Sequence, residues 1–204
     1  MGEHHFYFDH YEVYETTAHV PLIIRYSPAV PNKTRIKGLV QSTISLEPTI
    51  LNLFGIKIPD QLEGKNLIKL AIGEEKPWRE IYVNQGLWTA QRAIRTERWK
   101  LIRTIDPAYW EIPEIVLYDM QDDPEETKNL VLDRPEIVDK FELKMERWLR
   151  RELGKRIDPL EQIANLGLPS RVWVERAARR EVIFDKYEEW RARIDRAENL
   201  NALE

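Results

Sequence analysis

The chain has 204 residues, of which 43% are hydrophobic and 32% are charged, so it has enough apolar side chains to bury a core. It contains no cysteine, which excludes disulfide bonds, thiolate metal sites and cysteine nucleophiles. Its 31 basic and 35 acidic residues give a net charge of −4, without the excess of positive charge that is typical of nucleic-acid-binding proteins.

The sequence carries no visible targeting or membrane signal. Residues 1–5 lack the basic start and the apolar centre of a signal peptide. The longest uncharged apolar stretches, residues 20–24 and 40–46, are far shorter than the roughly 20 residues that a membrane-spanning helix needs. We therefore expect a cytoplasmic protein whose partners include neither a membrane nor a nucleic acid.

Two segments near the N-terminus predict regular structure. Residues 20–26 form a short apolar, β-branched run of the kind that is buried in a sheet, and Pro21 fits only its first position or an edge. Residues 43–55 predict a helix with apolar side chains at positions 46, 50, 53 and 54. Pro48 is expected in the first turn of this helix, and Gly55 is its C-terminal stop.

The middle of the chain predicts a small antiparallel sheet. Residues 80–83 and 115–118 read as single strands because they are short, apolar and β-branched. Residues 91–103 alternate around Thr96 and Glu97 as a hairpin does. We expect the strands within residues 80–121 to pair with one another.

The last third of the chain predicts helices. Residues 135–153 carry apolar side chains at three- and four-residue spacing, and Gly154 follows them. Because this apolar stripe needs a surface to cover, we expect it to pack on the sheet through Phe141, Met145 and Trp148. A second helix is predicted from Ser170 to about Ala197. Its apolar side consists of Trp173, Ala177, Phe184, Tyr187, Trp190 and Ile194.

The densest group of polar metal-ligand types lies within the first ten residues. Its members are Glu3, His4, His5, Asp9 and His10. Imidazole and carboxylate groups are good ligands for zinc or a similar ion, which favours a metal site. The spacing is not diagnostic, because adjacent histidines on a strand point in opposite directions. A polar N-terminal segment without a metal explains the cluster equally well.

The acidic segment at residues 119–126 suggests calcium binding. It does not fit an EF-hand loop, because the sixth position counted from Asp119 is not glycine and the twelfth is Leu130 rather than glutamate. A turn that caps a helix is therefore the favoured interpretation.

A row of basic side chains follows the predicted hairpin. Its members are Arg92, Arg95, Arg98, Lys100 and Arg103. Such a row could hold an anionic substrate. A sheet with one solvent-exposed face has the same pattern, and this interpretation is favoured.

The order of several motifs along the chain is more specific than any one of them. Residues 2–25 contain, in order, G-E-H, Y-F-D-H, Y-E and H-V-P-L-I-I-R. Residues 45–67 contain S-L-E-P-T-I-L-N-L-F-G-I and L-E-G-K-N-L. Residues 93–102 read A-I-R-T-E-R-W-K-L-I, and residues 117–130 read L-Y-D-M-Q-D-D-P-E-E-T-K-N-L. Within residues 2–153 the chain closely resembles the late part of sulfatases of the alkaline phosphatase superfamily.

The resemblance implies an α/β (α+β) fold in three parts. Residues 1–75 correspond to the C-terminal part of a sulfatase-like catalytic domain, with a remnant of its large sheet. Residues 76–154 correspond to a small antiparallel-sheet subdomain packed by a helix. Residues 155–204 match nothing in the family and are expected to form a helical extension.

The resemblance also implies the site residues. His10 lies eleven residues before Pro21, at the distance of a family lysine that contacts the anion, which makes His10 the candidate catalytic residue. His4 and His10 are the candidate substrate-binding residues. A protonated His10 could neutralise a developing oxyanion or donate to a leaving oxygen.

Other parts of the sulfatase machinery are absent from these 204 residues. Sulfatases carry a C/S-x-P-x-R motif, whose cysteine or serine becomes formylglycine, and bind a divalent cation through aspartates and an Asp-Asn or Asp-His pair before the G-E-H element. None of these motifs occurs here. No metal ligand and no cofactor is therefore assigned to this chain, and a divalent cation such as calcium is expected only in a full-length family member.

Three functions follow as hypotheses. The first is the C-terminal portion of a sulfatase-type hydrolase of sulfate, phosphate or phosphonate esters, inactive by itself and able to bind a sulfate ester only when the missing N-terminal part is supplied. The second is a stand-alone, non-catalytic binding or assembly module on the same scaffold. The third, a small histidine-metal protein, depends on the N-terminal cluster alone.

The resemblance also predicts that copies of the chain associate with one another. A chain cut out of a larger sheet exposes a strand edge and an apolar face around residues 20–24, which water tolerates poorly. We therefore expect a homo-oligomer.

Overall fold

The computed structural model describes residues 12–26, 30 and 32–179 of the chain. Its helices are α1 (Glu15–Ala18), α2 (Ser42–Leu53), α3 (Leu67–Ile72), α4 (Pro135–Leu153), α5 (Pro159–Leu166) and α6 (Pro169–Ala178). Its strands are β1 (Glu80–Gln85), β2 (Ala90–Thr96), β3 (Trp99–Asp106) and β4 (Ile115–Asp119). This mixture of helices with a small sheet confirms the predicted fold class. No helix within the described ranges is long and apolar enough to cross a membrane.

The four strands form one antiparallel sheet in the order β1-β2-β3-β4. The β2–β3 hairpin turns directly after Thr96, whose Oγ1 accepts a hydrogen bond from the N–H of Trp99 at 3.0 Å. Arg95 lies opposite Lys100 across this hairpin. The predicted antiparallel pairing within residues 80–121 is therefore confirmed.

Side chains on both faces of the sheet are buried. Because successive side chains of a strand point to opposite faces, each strand contributes to two clusters. One face packs against α4, and the buried residues there are Ile94, Leu101, Leu117, Val138, Phe141 and Met145. The other face packs against the start of the described chain, and the buried residues there are Val13, Tyr14, Ala93, Ile102, Val116, Tyr118 and Met120. The sheet is thus the middle layer of the core.

Helix α4 has the bounds that its sequence predicts. It begins at Pro135, where the missing N–H is not needed because the first turn of a helix has no acceptor for it. It ends at Leu153, and the next residue, Gly154, has a φ of +60° that favours glycine. The predicted helix at residues 135–153 is confirmed.

The apolar side of α4 lies on the sheet, also as predicted. Phe141 and Met145 are buried in the cluster with the β2, β3 and β4 side chains. Trp148 is half-buried and stacks on Tyr82 of β1, with ring centroids 4.3 Å apart and planes 6° apart. The tryptophan therefore lies at the margin of the core rather than at its centre.

Helix α2 begins at Ser42, one residue earlier than predicted, and Pro48 lies in its interior rather than in its first turn. Pro48 has no N–H to donate to the carbonyl of Ile44, one turn earlier. The backbone of Gly64 packs against this carbonyl, so closely that a Cβ at Gly64 would lie 1.8 Å from the Ile44 oxygen. The predicted position of Pro48 is therefore wrong, because a tertiary contact accommodates the carbonyl that the helix leaves free.

The predicted strand at residues 20–26 is not present. These residues belong to neither a helix nor a strand, and the side chains of Val20 and Ile23 are exposed. The prediction of a buried strand is wrong here because the described residues contain no neighbouring strand with which this segment pairs.

The residues after α4 fold back onto the sheet. Leu160 of α5 and Leu168 are buried in one cluster with Ala90 of β2. Helix α5 lies within the predicted helical extension at residues 155–204, although no separate helix was predicted at its position. The helix expected from Ser170 is described as α6 only as far as Ala178. The predicted apolar side at Phe184, Tyr187, Trp190 and Ile194 lies outside the described residues, and the side chains of Trp173 and Ala177 are not described either.

We expect truncation of the α4 side chains to destabilise the fold in proportion to their burial. Met145→Ala should lower the free energy of unfolding by about 3 kcal/mol, because it leaves a cavity in the core. Trp148→Ala should cost about 2 kcal/mol, because part of its side chain is already solvated. Leu143→Ala, at an exposed position of the same helix, is the control and should cost no more than about 0.5 kcal/mol. Urea denaturation measures all three, and a Met145 variant as stable as the control would contradict this packing.

Candidate functional site

The predicted site residues lie in the N-terminal segment. His4 and His10, the candidate substrate-binding and catalytic residues, lie outside the described residues, and their roles stay predictions. The same holds for Glu3, His5 and Asp9. The first described helix, α1, begins at Glu15, five residues after His10 in the sequence. The described residues therefore include the contacts that hold the chain in place directly after the predicted site.

Lys100 of β3 is the centre of a buried group of charges. Its side chain is 0% exposed, and its Nζ lies 3.0 Å from Glu15 Oε1 and 2.8 Å from Glu126 Oε1. The other carboxylate oxygen of Glu126 accepts the backbone N–H of Glu15 at 2.6 Å. Buried charges are tolerated only when they are paired and hydrogen-bonded. The pairing therefore joins α1, β3 and the turn after β4.

The two carboxylates around Lys100 differ in their pKa. Burial raises the pKa of Glu126, and this effect exceeds the attraction of Lys100, so the pKa lies above its usual value. Burial also raises the pKa of Glu15, but the hydrogen bond and charge of Lys100, together with the charge of Arg95, outweigh it and bring the pKa below its usual value. On acidification a proton therefore enters this group at Glu126, while Glu15 stays ionised.

The acidic segment after β4 forms a turn, as predicted, but the turn does not cap a helix. The next helix, α4, begins at Pro135, and its N-cap residue Arg134 makes no side-chain cap hydrogen bond. Asp119 accepts two hydrogen bonds from Arg98, at 2.9 and 2.8 Å, and Asp123 accepts the backbone N–H of Thr127 at 3.0 Å. Glu126, in the same turn, has a φ of +57°, which is uncommon outside glycine. Within the described ranges no three His, Cys, Asp or Glu residues are grouped so that they could hold a metal ion.

The basic row on the hairpin is paired with carboxylates. The ion pairs are Arg92 with Asp158, Arg95 with Glu15, Arg98 with Asp119, Lys100 with Glu15 and Glu126, and Arg103 with Glu142. Arg92 and Lys100 are buried, so the row does not lie on one solvent-exposed face, and that interpretation is wrong. The row instead connects the sheet to the segments that cover it.

Arg95 differs from the other four basic residues. Its Nε lies 3.5 Å from Glu15 Oε1, outside hydrogen-bonding geometry, and its buried Nε and Nη1 atoms have no hydrogen-bond partner. The nearer cation, Lys100, already donates a hydrogen bond to the same Glu15 oxygen at 3.0 Å. Arg95 therefore retains donor capacity that the described residues do not use.

A cavity of about 800 Å³ adjoins Arg95. It lies between the described residues of the segment at 18–26 and 30–40, helix α3 and strands β1 and β2. Apolar side chains dominate its lining, among them Leu39, Leu67 and Val83, and its charged lining residues include Glu15 and Arg95. It is a mainly apolar cavity whose lining also contains the charged residues Arg35 and Glu97.

The extension is attached to the sheet by a second buried ion pair. Arg92 donates to both oxygens of Asp158, at 2.7 and 2.9 Å, and the two side chains are 7% and 8% exposed. Asp158 also caps α5 by accepting the N–H of Leu160 at 3.0 Å. Burial raises the pKa of Asp158, but the hydrogen bonds from Arg92 and Leu160 outweigh it, so the pKa lies below its usual range.

The fold and the motif order together define a part of a sulfatase. Residues 2–152 match the protein family described as N-sulphoglucosamine sulphohydrolase, C-terminal. The chain belongs to this family, which confirms the resemblance found in the sequence.

Similar proteins agree with this assignment. N-acetylglucosamine-6-O-sulfatase from Bacteroides thetaiotaomicron is 31% identical over 140 residues, which are 64% of this chain and 24% of that protein. Arylsulfatase K from Homo sapiens is 28% identical over 144 residues, which are 65% of this chain and 26% of that protein. The chain thus spans about a quarter of the length of the curated relatives that it matches.

A solved structure has the same fold over most of the chain. That structure contains a protein in complex with its substrate, D-glucosamine-2-N,6-O-disulfate. The TM-score is 0.64 at 26% identity, and the match covers 78% of this chain and 33% of that one.

Sequence analysis missed the buried group around Lys100, although all three members lie in family-like segments. Glu15 belongs to the Y-E motif, Lys100 to the W-K-L-I motif and Glu126 to the D-P-E-E motif. A partial signal was available for Lys100, which lies within the apolar run W-K-L-I, but not for Glu126, which lies in an acidic segment. Their mutual contact was not predictable, since Glu15 and Lys100 are 85 residues apart.

We expect Lys100→Met to lower the free energy of unfolding by about 3–5 kcal/mol at pH 7, because it leaves two buried carboxylates without their cation. The loss should shrink as the pH falls, since protonation of Glu126 removes one of the two charges. Lys128→Met, at an exposed lysine, is the matched control and should change stability by less than about 1 kcal/mol. Thermal unfolding followed from pH 7 to pH 4 tests both statements, and a loss that grows on acidification would contradict them.

We expect Asp158→Ala to cost about 3 kcal/mol, because it removes a helix cap and leaves Arg92 buried without its carboxylate. A carboxylate whose pKa is lowered by folding contributes stability above the pKa of the unfolded state, which is about 3.9. The difference between wild type and variant should therefore begin to shrink as the pH falls below about 4, and it should be lost only below the lower pKa that Asp158 has in the folded state. Asp133→Ala, at an exposed aspartate, is the control. A pH-independent difference in urea denaturation would show that Asp158 acts through packing alone.

Proposed function

We propose that this chain is the C-terminal portion of a sulfatase-type hydrolase, which cleaves a sulfate ester only together with a catalytic part that carries the C/S-x-P-x-R motif. The observation that carries the proposal is the family match over residues 2–152. Three motifs within this range contribute Glu15, Lys100 and Glu126 to one buried group of charges. The chain spans about a quarter of the relatives' length, so the activity belongs to a longer assembly.

In this proposal His10 acts on the sulfate group. A protonated imidazole there stabilises negative charge on the ester oxygens and donates a proton to the leaving oxygen. His4 contributes a further substrate contact. Glu15 anchors the chain five residues after His10, through its backbone N–H on Glu126 and its carboxylate on Lys100.

The divalent cation of the family belongs to the catalytic part. When bound, such a cation neutralises charge on the sulfate oxygens and lowers the barrier to attack. The described residues do not supply a ligand set for it.

The proposed substrate class is a sulfated glucosamine. The similar structure is described with D-glucosamine-2-N,6-O-disulfate as its substrate, and the relative at 31% identity is an N-acetylglucosamine-6-O-sulfatase. Both names share a glucosamine ring that carries a sulfate at position 6, and this chemistry is what we propose for the assembled enzyme.

A second candidate is a stand-alone, non-catalytic binding or assembly module on the same scaffold. The observation in its favour is the extension, which lies outside the family match yet packs into the core through Arg92 and Asp158. A C-terminal extension that the family model does not include supports a binding or assembly function separate from catalysis. The two candidates differ in whether the coding sequence directly upstream of Met1 contains a C/S-x-P-x-R motif.

We expect no hydrolysis of p-nitrophenyl sulfate by the 204-residue chain with calcium, magnesium, manganese or zinc supplied in turn. The reason is that no formylglycine precursor is present, and loss of the nucleophile removes the covalent route rather than slowing it. Turnover that survives repurification and disappears in His10→Ala would contradict the proposal.

The positive test uses the chain joined to a catalytic part that carries the motif. Glucosamine 6-sulfate should be desulfated, and His10→Ala should lower kcat by roughly 10²–10⁴-fold. His10→Lys is the matched variant and should retain most of the activity, since it restores a cation at the same position. Equal losses in both variants would argue against a role for charge at this position.

A further inference from the structure

Two loops at one end of the sheet carry three aromatic side chains. The β1–β2 loop carries Trp88, and the β3–β4 loop carries Tyr109 and Trp110. The rings of Trp88 and Trp110 meet edge to face, with centroids 6.4 Å apart and planes 81° apart. Both tryptophans are half-buried, whereas Tyr109 is 53% exposed. Together these three side chains form the aromatic platform, and its most exposed ring is that of Tyr109.

The C-terminal extension holds both loops in place. The hydroxyl of Ser170 donates to the carbonyl of Trp88 at 3.3 Å. Arg171 donates to Asp106 Oδ1 at 3.0 Å and to the carbonyl of Ala108 at 3.1 Å. Ser170 and Arg171 lie outside the family match at residues 2–152, so these contacts are an addition of this chain to the family pattern.

The backbone directly before Tyr109 is strained. Ala108 has a φ of +54°, in the left-handed region that residues other than glycine seldom adopt. Its N–H donates to Asp106 Oδ1 at 2.8 Å, and the guanidinium of Arg171 lies 5.8 Å from the centre of the Tyr109 ring. Strained residues persist only where their surroundings fix them, and they cluster at sites that hold a ligand. The strain therefore indicates that the direction of Tyr109 is functionally important.

The aromatic platform lies near the segment that carries the predicted site residues. Trp110 packs against the buried cluster that contains Val13 and Tyr14. Val13 follows His10 by three residues, which span at most about 11 Å. A short oligosaccharide can bridge such a distance. A sugar that reaches the predicted site can therefore also reach the platform.

The charges around the platform disfavour an anionic ligand. Arg171 is paired with Asp106 at 3.0 Å, so these two charges cancel. The same loop carries Glu111 and Glu114, which are exposed. A sulfate or carboxylate group at this place would meet net negative charge, whereas a neutral ligand would not.

The aromatic side chains suit the face of a sugar ring. The faces of a pyranose carry C–H groups, which leave water when the sugar stacks on an aromatic ring. Tyrosine and tryptophan supply such contact area at a low cost in conformational entropy. The loops that carry them are already fixed by Ser170 and Arg171, which lowers this cost further.

We propose that the aromatic platform binds a neutral pyranose residue of a glycan, linked to the sulfated glucosamine, with the face of this sugar on the ring of Tyr109. The proposal rests on the proposed function, which supplies the sulfated glucosamine. Tyr109 is the specificity-determining residue of this subsite. The assembled enzyme then prefers an oligosaccharide to the single sulfated sugar.

The first test measures binding of a sulfate-free sugar by the 204-residue chain. The probe is N-acetyllactosamine, a neutral disaccharide of galactose and N-acetylglucosamine, which is titrated into nitrogen-15-labelled protein. The indole N–H signal of Trp110 and the backbone N–H signal of Tyr109 should shift and saturate with a Kd in the millimolar range. Tyr109→Ala should raise this Kd at least tenfold. Tyr109→Phe, which keeps the ring, and Tyr26→Ala, at another exposed tyrosine, should each change it less than threefold.

A further variant guards against misfolding. Tyr109→Leu keeps apolar bulk but has no ring face, so it should weaken binding as Tyr109→Ala does, while the spectrum of the rest of the chain stays unchanged. Absence of saturable shifts, or a Kd that both variants leave unchanged, would overturn the subsite. Tighter binding of a disaccharide that contains a glucuronate would overturn the assignment of a neutral sugar.

The second test uses the chain joined to a catalytic part and separates this inference from the proposed function. Glucosamine 6-sulfate linked to galactose should have a KM at least fivefold lower than glucosamine 6-sulfate alone. Tyr109→Ala should remove this difference and leave the KM of the single sugar unchanged. Hydrolysis of neither sugar would contradict the proposed function, while the binding test still decides the subsite. Hydrolysis of both with equal KM would support the function and overturn the position of the subsite next to the sulfated sugar.

Discussion

The burial of one ammonium group between two carboxylates holds the described chain together. Lys100 is fully buried, and removal of such a charge from water costs several kcal/mol unless partners compensate for it. The partners come from distant segments, Glu15 in α1 and Glu126 in the turn after β4. Because Lys100 can be buried only when both segments are in place, the sheet, the turn and the start of the chain form as one unit. The left-handed backbone of Glu126 is tolerated for the same reason, since this conformation belongs to the residue that reaches both Lys100 and the N–H of Glu15.

A second buried ion pair connects distant segments at another place on the sheet. Arg92 and Asp158 form a second buried pair, which ties the extension to β2 next to the cluster of Leu160 and Leu168. The sheet is therefore covered on one face by α4 and on the other by the N-terminal segment, and its end is covered by α5. Paired charges fix where the covering segments sit, and apolar burial provides most of the stabilisation. Such pairs contribute specificity of arrangement more than net stability.

The buried ion pair at Lys100 lies within the part of the chain that matches the sulfatase family. The buried pair at Lys100 anchors the chain directly after the segment that carries the predicted site residues His4 and His10. The exposed apolar residues of α2 and the sparsely compensated Arg95 are each costly in water, as far as the described residues show. The extension beyond residue 152 is the part that this chain adds to the family pattern.

The sequence alone determined the hairpin around Thr96, the helix at residues 135–153 and the family, because periodicity, turn residues and motif order are properties of neighbouring positions. Only the tertiary structure decided the burial of Lys100, the interior position of Pro48 and the pairing of Arg92 with Asp158. Arg92 and Asp158 are 66 residues apart, and a charged residue looks the same in sequence whether it faces water or a distant carboxylate. The segment at residues 20–26 illustrates the same limit. Its composition favours a strand, but a strand exists only where a neighbour supplies the other half of the hydrogen bonds, and the described residues supply none.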